Sequence, residues 1–274
     1  MVAEWVDRSS GLVVETEIRA MDYITSLAAS GRYHFTAREV QQALRIKGTA
    51  RKFALNHLMK EQVIVSLVQG FYVFMPPEYQ GCLSADEFIP ALMAHLGLRY
   101  YVSLLSAAQY YGAVHQHPPD IQVFLTKDRR PVQQGKVRVA FMTRRQLRKV
   151  PVRSFKTPHG SIVVSSPEAT ALDLVGHADH VGGMDQVATI LSKLAERIDP
   201  EKLAVVAETA SVHWAQRLGY MLECLGFSEK TPALKDYVHE HAMSWTVIAP
   251  KAPEDRSRRV RDWKIYANAE VKPE

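Results

Sequence analysis

The chain has 274 residues, 47% of them apolar and 23% charged, enough to build one large core or two smaller ones. Only two cysteines occur, Cys82 and Cys224, far apart and in no CxxC spacing, which excludes a disulfide framework and favours a reducing, cytoplasmic setting. No apolar run approaches the roughly 18–20 residues of a membrane helix. The first residues, "MVAEWVDRSS", lack the basic-then-apolar pattern of a signal peptide, so none is expected. Net charge is +5 and the pI about 9.1. Residues 1–80 carry 9 Lys+Arg against 8 Asp+Glu, residues 81–160 carry 12 against 4, and residues 161–274 carry 13 against 17. The middle third is therefore a basic block, which favours a polyanion partner.

A first helix is predicted over 15–29, where Ile18, Met21, Ile24, Leu27 and Ala28 recur at helical spacing and Gly31 can stop it. In "FTAREVQQAL", Thr36 stands at an N-cap and Glu39 three residues later completes a capping box. "RIKG" reads as a turn, with Gly48 supplying freedom, and Thr49 is placed to cap a third helix that runs to about Lys60. "VIVSLV" and "FYVFM", joined by Gln69-Gly70, read as a β-hairpin. Helix, helix, helix, hairpin is the order of a winged helix-turn-helix. "PPEYQG" (76–81) then breaks all periodicity, and a domain boundary is expected near residue 78.

Beyond it the elements alternate. Helices are predicted over 84–97, with Ser84 as cap, and over 103–112. Strands follow over 120–126 and 136–142, and a hairpin over 152–166 turning near His159-Gly160. Ser166 and Pro167 form a strong helix start. Four helices occupy 184–243, and a strand over 244–249 precedes a charged tail. The fold class expected is mixed α/β: a winged helix-turn-helix over 1–78 and a larger, helix-rich α/β domain over 79–274 that contains the basic segment 127–156.

The stretch "KGTARKFALNHLMKEQ" (47–62) carries the sharpest functional signal. At about 100° per residue, Ala54, Leu55, Leu58 and Met59 share one side, while Thr49, Lys52, Phe53, Asn56, His57 and Lys60 share the other. An ammonium, an amide, an imidazole and a hydroxyl on one face suit a major groove. The alternative is an ordinary solvated basic helix, or a docking face for another protein. In a winged-helix order the reading is DNA recognition. The expected DNA-binding residues are Thr36, Arg45, Lys47, Thr49, Arg51, Lys52, Asn56, His57, Lys60 and Gln69. The wing, with Ser66, Gln69 and Gly70, has no Arg or Lys, so contact there is expected through backbone N–H groups and Gln69. Phe53 is out of place on a solvent face.

Within 127–156, Asp128 is the only acid. Arg129, Arg130, Arg138, Arg144, Arg145, Arg148 and Lys149 are expected to form a secondary basic surface, for flanking DNA or for an RNA or nucleotide partner; solvated strand and loop charges are the plainer reading. "GHADH" (176–180) matches the tail of an HxHxDH metal signature, but Val175 stands where the first histidine belongs. "HQHP" (115–118) and "HEH" (239–241) show no third ligand. No GxxxxGK[ST], strand-borne GxGxxG or GxSxG motif occurs. No catalytic residue, metal or cofactor is expected, and the chain is not read as an enzyme.

Several long motifs, in order, resemble the AbiEi-type antitoxins of bacterial toxin–antitoxin and abortive-infection systems. They are "QGFYVFMPPEY", "YYVSLLSAAQYYG" (100–112), "TPHGSIVVSSPEATALDLV" (157–175) and "RLGYMLECLG" (217–226). The resemblance implies a transcriptional autorepressor that binds inverted repeats upstream of its own operon and counters a nucleotidyltransferase-like toxin encoded beside it, as part of phage defence. It carries the DNA-contact role onto Lys52, Asn56 and their neighbours only as positions in the recognition helix. The residues of the C-terminal motifs also read as core, since Leu104, Leu105, Ala108 and Tyr111, and likewise Ala171, Leu172 and Val175, recur at helical spacing. An alternative reading is a nucleotide- or RNA-acting C-terminal domain recruited by a winged-helix docking module.

Overall fold

A computed structural model describes residues 8–75, 85–114, 118–134, 137–158, 160–253 and 255–272. The predicted cap Ser84, the breaker at 76–81, Cys82, His115 and His117, Lys136 and the turn residue His159 lie outside the described residues. The chain forms two compact units. The first comprises Met1–Leu98, Arg130–Ala140 and Lys156–Ile162; the second comprises Arg99–Arg129, Phe141–Phe155 and Val163–Glu274.

The first unit begins with α1 (Arg8–Ala29), β1 (His34–Thr36), α2 (Ala37–Leu44), α3 (Gly48–Lys60), β2 (Ile64–Val68), β3 (Phe71–Phe74) and α4 (Ala85–Leu96). At the end of α1, Gly31 takes φ +83 and its N–H donates to Ala28 O at 2.8 Å, while Arg32 N donates to Leu27 O at 3.0 Å, which satisfies carbonyls the helix leaves open. The capping box of α2 is complete. Thr36 Oγ1 accepts from Glu39 N at 3.2 Å, and Glu39 Oε2 accepts from Thr36 N at 2.6 Å. The other Glu39 oxygen pairs with Arg32.

The turn between α2 and α3 differs from the expected one. Arg45, not Gly48, is the left-handed residue, with φ +52, and Arg19 Nη2 donates to Leu44 O at 3.2 Å to close α2. Gly48 is the first residue of α3 and Lys47 its N-cap, so Thr49 lies inside the first turn and does not cap. Arg51 N already bonds Lys47 O at 3.1 Å, which starts the helix two residues before a Thr49 cap would.

β1, β3 and β2 form an antiparallel sheet in that order, with a bulge between Ser66 and Val68 on β2. Ala20 and Ile24 of α1, Val40 and Leu44 of α2, Ala54, Leu55 and Leu58 of α3, and Phe35, Ile64 and Phe74 of the sheet make one buried cluster. Each large side chain buried this way stabilises the unit by roughly 1.5–3 kcal/mol.

The remaining elements, in chain order, are β4 (Tyr101–Val102), α5 (Leu104–Tyr110), β5 (Ile121–Leu125), β6 (Val132–Gln134), β7 (Val137–Thr143), β8 (Val152–Thr157), β9 (Gly160–Ser165), α6 (Pro167–Gly176), α7 (Met184–Leu194), α8 (Pro200–Ala207), α9 (Val212–Cys224), α10 (Pro232–His241), β10 (Thr246–Val247), β11 (Arg259–Val260) and β12 (Ile265–Tyr266). A six-stranded mixed sheet has the order β6-β7-β5-β4-β9-β8, with β4 antiparallel to β5 and parallel to β9. α6 is capped by Ser166 with Pro167 in the first turn, as expected. It is buried from Pro167 to Val175 and packs against α5, α8 and α9. The class is mixed α/β, as the sequence predicts.

The segment after 249 is not merely a charged tail. β12 pairs with both β10 and β11 in a small sheet, order β10-β12-β11, and Trp263, between β11 and β12 in the chain, is fully buried. Two-residue strands carry too little alternation to be seen in a sequence. Among the described residues, no helix is long and apolar enough to cross a membrane.

Candidate nucleic-acid interface

α3 presents two distinct faces. Ala54, Leu55 and Leu58 are buried, and Met59 packs against the same core. Lys47, Thr49, Lys52, Phe53, Asn56, His57 and Lys60 are exposed, and Phe53 is 63% exposed. A helix N-terminus bears a partial positive charge from its open N–H groups, and Lys47 and Lys52 stand in the same first turns. The outward surface of α3 therefore combines cations, an amide and a hydroxyl on one rigid rod. Arg45 is exposed at the preceding turn.

Two of the residues expected here, Thr36 and Arg51, are committed to the fold. Thr36 spends its hydroxyl on the cap of α2, donating to Glu39 Oε2 at 2.8 Å. Half-buried Arg51 pairs through Nη1 with Gln41 Oε1, tying α3 to α2. The turn that carries Gln69 is pinned from behind. His95 of α4 makes a 3.0 Å contact from Nε2 to Gln69 O, and its ring lies 5.6 Å from that of Phe71. The Gln69 side chain remains exposed.

The secondary basic surface needs one correction. Arg144 is only 5% exposed and does not face solvent. Its guanidinium pairs with the fully buried Asp173 of α6, and Nη2 also donates to Thr209 Oγ1 at 3.1 Å and Thr209 O at 3.3 Å. It lies 5.2 Å from the Trp214 ring centre. A buried carboxylate supplies the reason: a guanidinium satisfies its charge far better there than water could reach it. Arg145, Arg148 and Lys149 are exposed, and Arg129 is half-exposed over the Phe141 ring. Arg130 and Arg138 are exposed but belong to the first unit.

Asp173 anchors a buried polar centre that sequence reasoning missed. Oδ2 accepts from Tyr101 Oη at 3.0 Å and from Ser103 Oγ at 2.9 Å. Ser103 contacts Ser165 Oγ at 3.0 Å, and Ser165 contacts Thr170 Oγ1 at 2.7 Å. Tyr111 donates to Ser165 O. Glu168, buried in the first turn of α6, accepts from Asp199 N at 3.0 Å. Burial pushes the Asp173 carboxyl above its ordinary value, and Arg144, Ser103 and Tyr101 pull it back. Burial also raises the Tyr101 phenol. The visible signal in the sequence is a lone acid inside the uncharged, mostly apolar "ATALDLV".

His177, at the end of α6, sits edge-on to Phe124 and Trp214 at 5.0 and 5.1 Å. Burial, with His180 and Arg144 nearby, lowers its pKa to about 4. The folded state thus holds this ring neutral, while the unfolded chain protonates near 6.5. Between those values the unfolded state binds more protons. Stability is full above pH 6.5 and declines as pH falls toward 4, by about 2–3 kcal/mol. Urea unfolding of wild type and His177→Phe at both pH values checks this, and the variant should lose most of that decline. Among the described residues, no group of three or more His, Cys, Asp or Glu could hold a metal ion.

The comparisons with known proteins agree with this architecture. The RV2827C protein from Mycobacterium tuberculosis, known from a crystal structure, is 18% identical, with 90% of each chain covered and a TM-score of 0.67. At that identity the likeness is one of fold. No curated protein matches the chain. Residues 101–224 match the family described as the AbiEi antitoxin C-terminal domain, which supports the resemblance to the AbiEi-type antitoxins.

Proposed function

We propose that the protein is a DNA-binding antitoxin of the cytoplasm, which represses its own operon through inverted repeats and counters a nucleotidyltransferase-like toxin. In this reading the helices and hairpin of residues 1–78 are a winged helix-turn-helix and residues 79–274 carry the antitoxin activity. α3 is the recognition helix. The single observation that carries the reading is its outward face, where Lys52, Asn56, His57 and Lys60 stand exposed while Leu55 and Leu58 fix the helix in the core. An exposed Asn suits an adenine edge, lysines suit guanine or phosphate, and Phe53 suits a thymine methyl. Arg145, Arg148 and Lys149 supply further phosphate contacts.

A mobility-shift assay on the DNA upstream of the gene tests the proposal. Specific retention is expected, and Lys52→Ala/Asn56→Ala should weaken it at least about tenfold, since each good base contact discriminates by about 1–3 kcal/mol. Affinity should also fall steeply with salt as counterions are released. Full retention by the double variant would sink the assignment of α3, and a flat salt dependence would remove the basic segment from the interface.

A further inference from the structure

Phe53 is the anomaly of α3. It is 63% exposed and takes no part in the buried cluster, although Met59 of the same helix packs against that cluster from its flank. At about 100° per residue, Thr49, Phe53, Asn56 and Lys60 fall within roughly 60° of one another, so the ring stands inside the outward stripe and not at its border. Thr49 lies one turn before it and Asn56 one turn after it, close enough for their side chains to meet the same ligand. A single exposed phenylalanine is ordinary on a mixed surface. Here the surface is not mixed. α3 contains no acid, Lys52 and Lys60 are exposed beside the ring, and Glu39, the acid of α2, is held by Arg32.

The start of α3 bears on how such a surface is used. Lys47 provides no side-chain cap, so the first-turn N–H groups stay open for an anion, with Lys47 and Arg45 exposed beside them. A duplex phosphate held there lays the next turn, which carries Phe53 and Asn56, against base edges. An apolar ring among cations fits a ligand that is anionic around its rim and apolar at one point. In the major groove that point is the pyrimidine C5-methyl group, since the base edges otherwise present donors and acceptors. An apolar protein surface would instead have to bury Lys52, Asn56 and Lys60 with the ring, which is costly unless each is paired.

We propose that Phe53 is the residue through which α3 reads a pyrimidine C5-methyl group, on the base pair whose edge Asn56 takes or on the next one. The proposal rests on α3 being a DNA reader and adds what decides its preferred sequence. The methyl belongs to thymine or to 5-methylcytosine.

Mobility shifts of the full chain on three versions of the upstream fragment test this: unmodified, with uracil in place of thymine, and with 5-methylcytosine in place of cytosine. Uracil differs from thymine only by the methyl, so hydrogen bonding at the base edges is unchanged. Loss of one methyl contact should weaken wild-type binding about fourfold. Phe53→Ala should bind the thymine and uracil fragments alike and keep the wild-type salt dependence, because no phosphate contact is lost. The ring is exposed, so the variant should also keep the wild-type unfolding transition. Weaker binding to uracil DNA, abolished by Phe53→Ala, assigns the methyl to thymine. Tighter binding to 5-methylcytosine DNA, abolished likewise, assigns it to methylated cytosine. Wild-type binding that gains nothing from either methyl would overturn the proposal and leave α3 as a DNA reader. A methyl preference that Phe53→Ala retains in full would overturn it too, since the methyl would then be read elsewhere in the interface. Absence of specific binding to the unmodified fragment would overturn the proposal together with the DNA-reading role of α3.

Discussion

Replacing Arg144 with methionine is expected to lower the free energy of unfolding by about 3–5 kcal/mol, because it strands the Asp173 carboxylate in the core. Asp173 is fully buried and Arg144 is 5% exposed, so water cannot take over the lost partner. The two hydroxyl donors that remain, Tyr101 and Ser103, cannot neutralise the charge. Methionine fills much of the volume that the guanidinium stem occupies against Trp214, so the loss should report charge and not a cavity. Urea denaturation measures it directly. Adding Asp173→Asn to Arg144→Met removes the stranded charge and should recover a large part of the loss. If Arg144→Met alone stays within about 1 kcal/mol of wild type, the pair does not hold the second unit together.

This pair also shows where the sequence stops being legible. Local grammar reads well: the Thr36–Glu39 capping box, the Ser166-Pro167 start and the Gly31 stop are short-range events, and all are present. The two faces of α3 also follow from spacing alone. Arg144 and Asp173 are 29 positions apart, and only tertiary packing reveals that an arginine from a basic run turns inward to a carboxylate on a helix. By charge alone Arg144 is indistinguishable from Arg145, which is exposed. The motifs "YYVSLLSAAQYYG" and "SSPEATALDLV" read as apolar packing, yet their polar residues converge on one another. Tyr101, Ser103 and Tyr111 of the first meet Ser165 and Asp173 of the second, and Thr170 joins them through Ser165. The third motif, "RLGYMLECLG", has a different origin, in a close approach of helix to ring.

That approach makes Gly219→Ala the other substitution of large effect. Gly219 lies within α9, where glycine is ordinarily unfavourable by roughly 1 kcal/mol relative to alanine. On propensity alone the change should stabilise. The structure reverses the sign: a Cβ at 219 would sit 2.0–2.6 Å from Cζ3, Cη2 and Cε3 of the Trp263 ring, well inside the 3.0 Å that real Cβ atoms keep. Trp263 cannot swing away. It is fully buried, its indole N–H donates to Glu223 Oε2 at 2.8 Å, and Lys235 covers the ring at 5.3 Å while pairing with Glu223 at 2.6 Å. Gln216 Nε2 also holds Trp263 O at 3.0 Å. Overpacking of this kind costs about 1–3 kcal/mol and more where neither side can move, so a loss of about 3 kcal/mol is expected for Gly219→Ala. A double-mutant cycle identifies the cause. Trp263→Phe shortens the ring and should make the added methyl less costly in that background than in wild type. Equal cost of Gly219→Ala in both backgrounds would refute the contact as the source. A gain in stability would show that helix propensity outweighs the packing of α9 on Trp263.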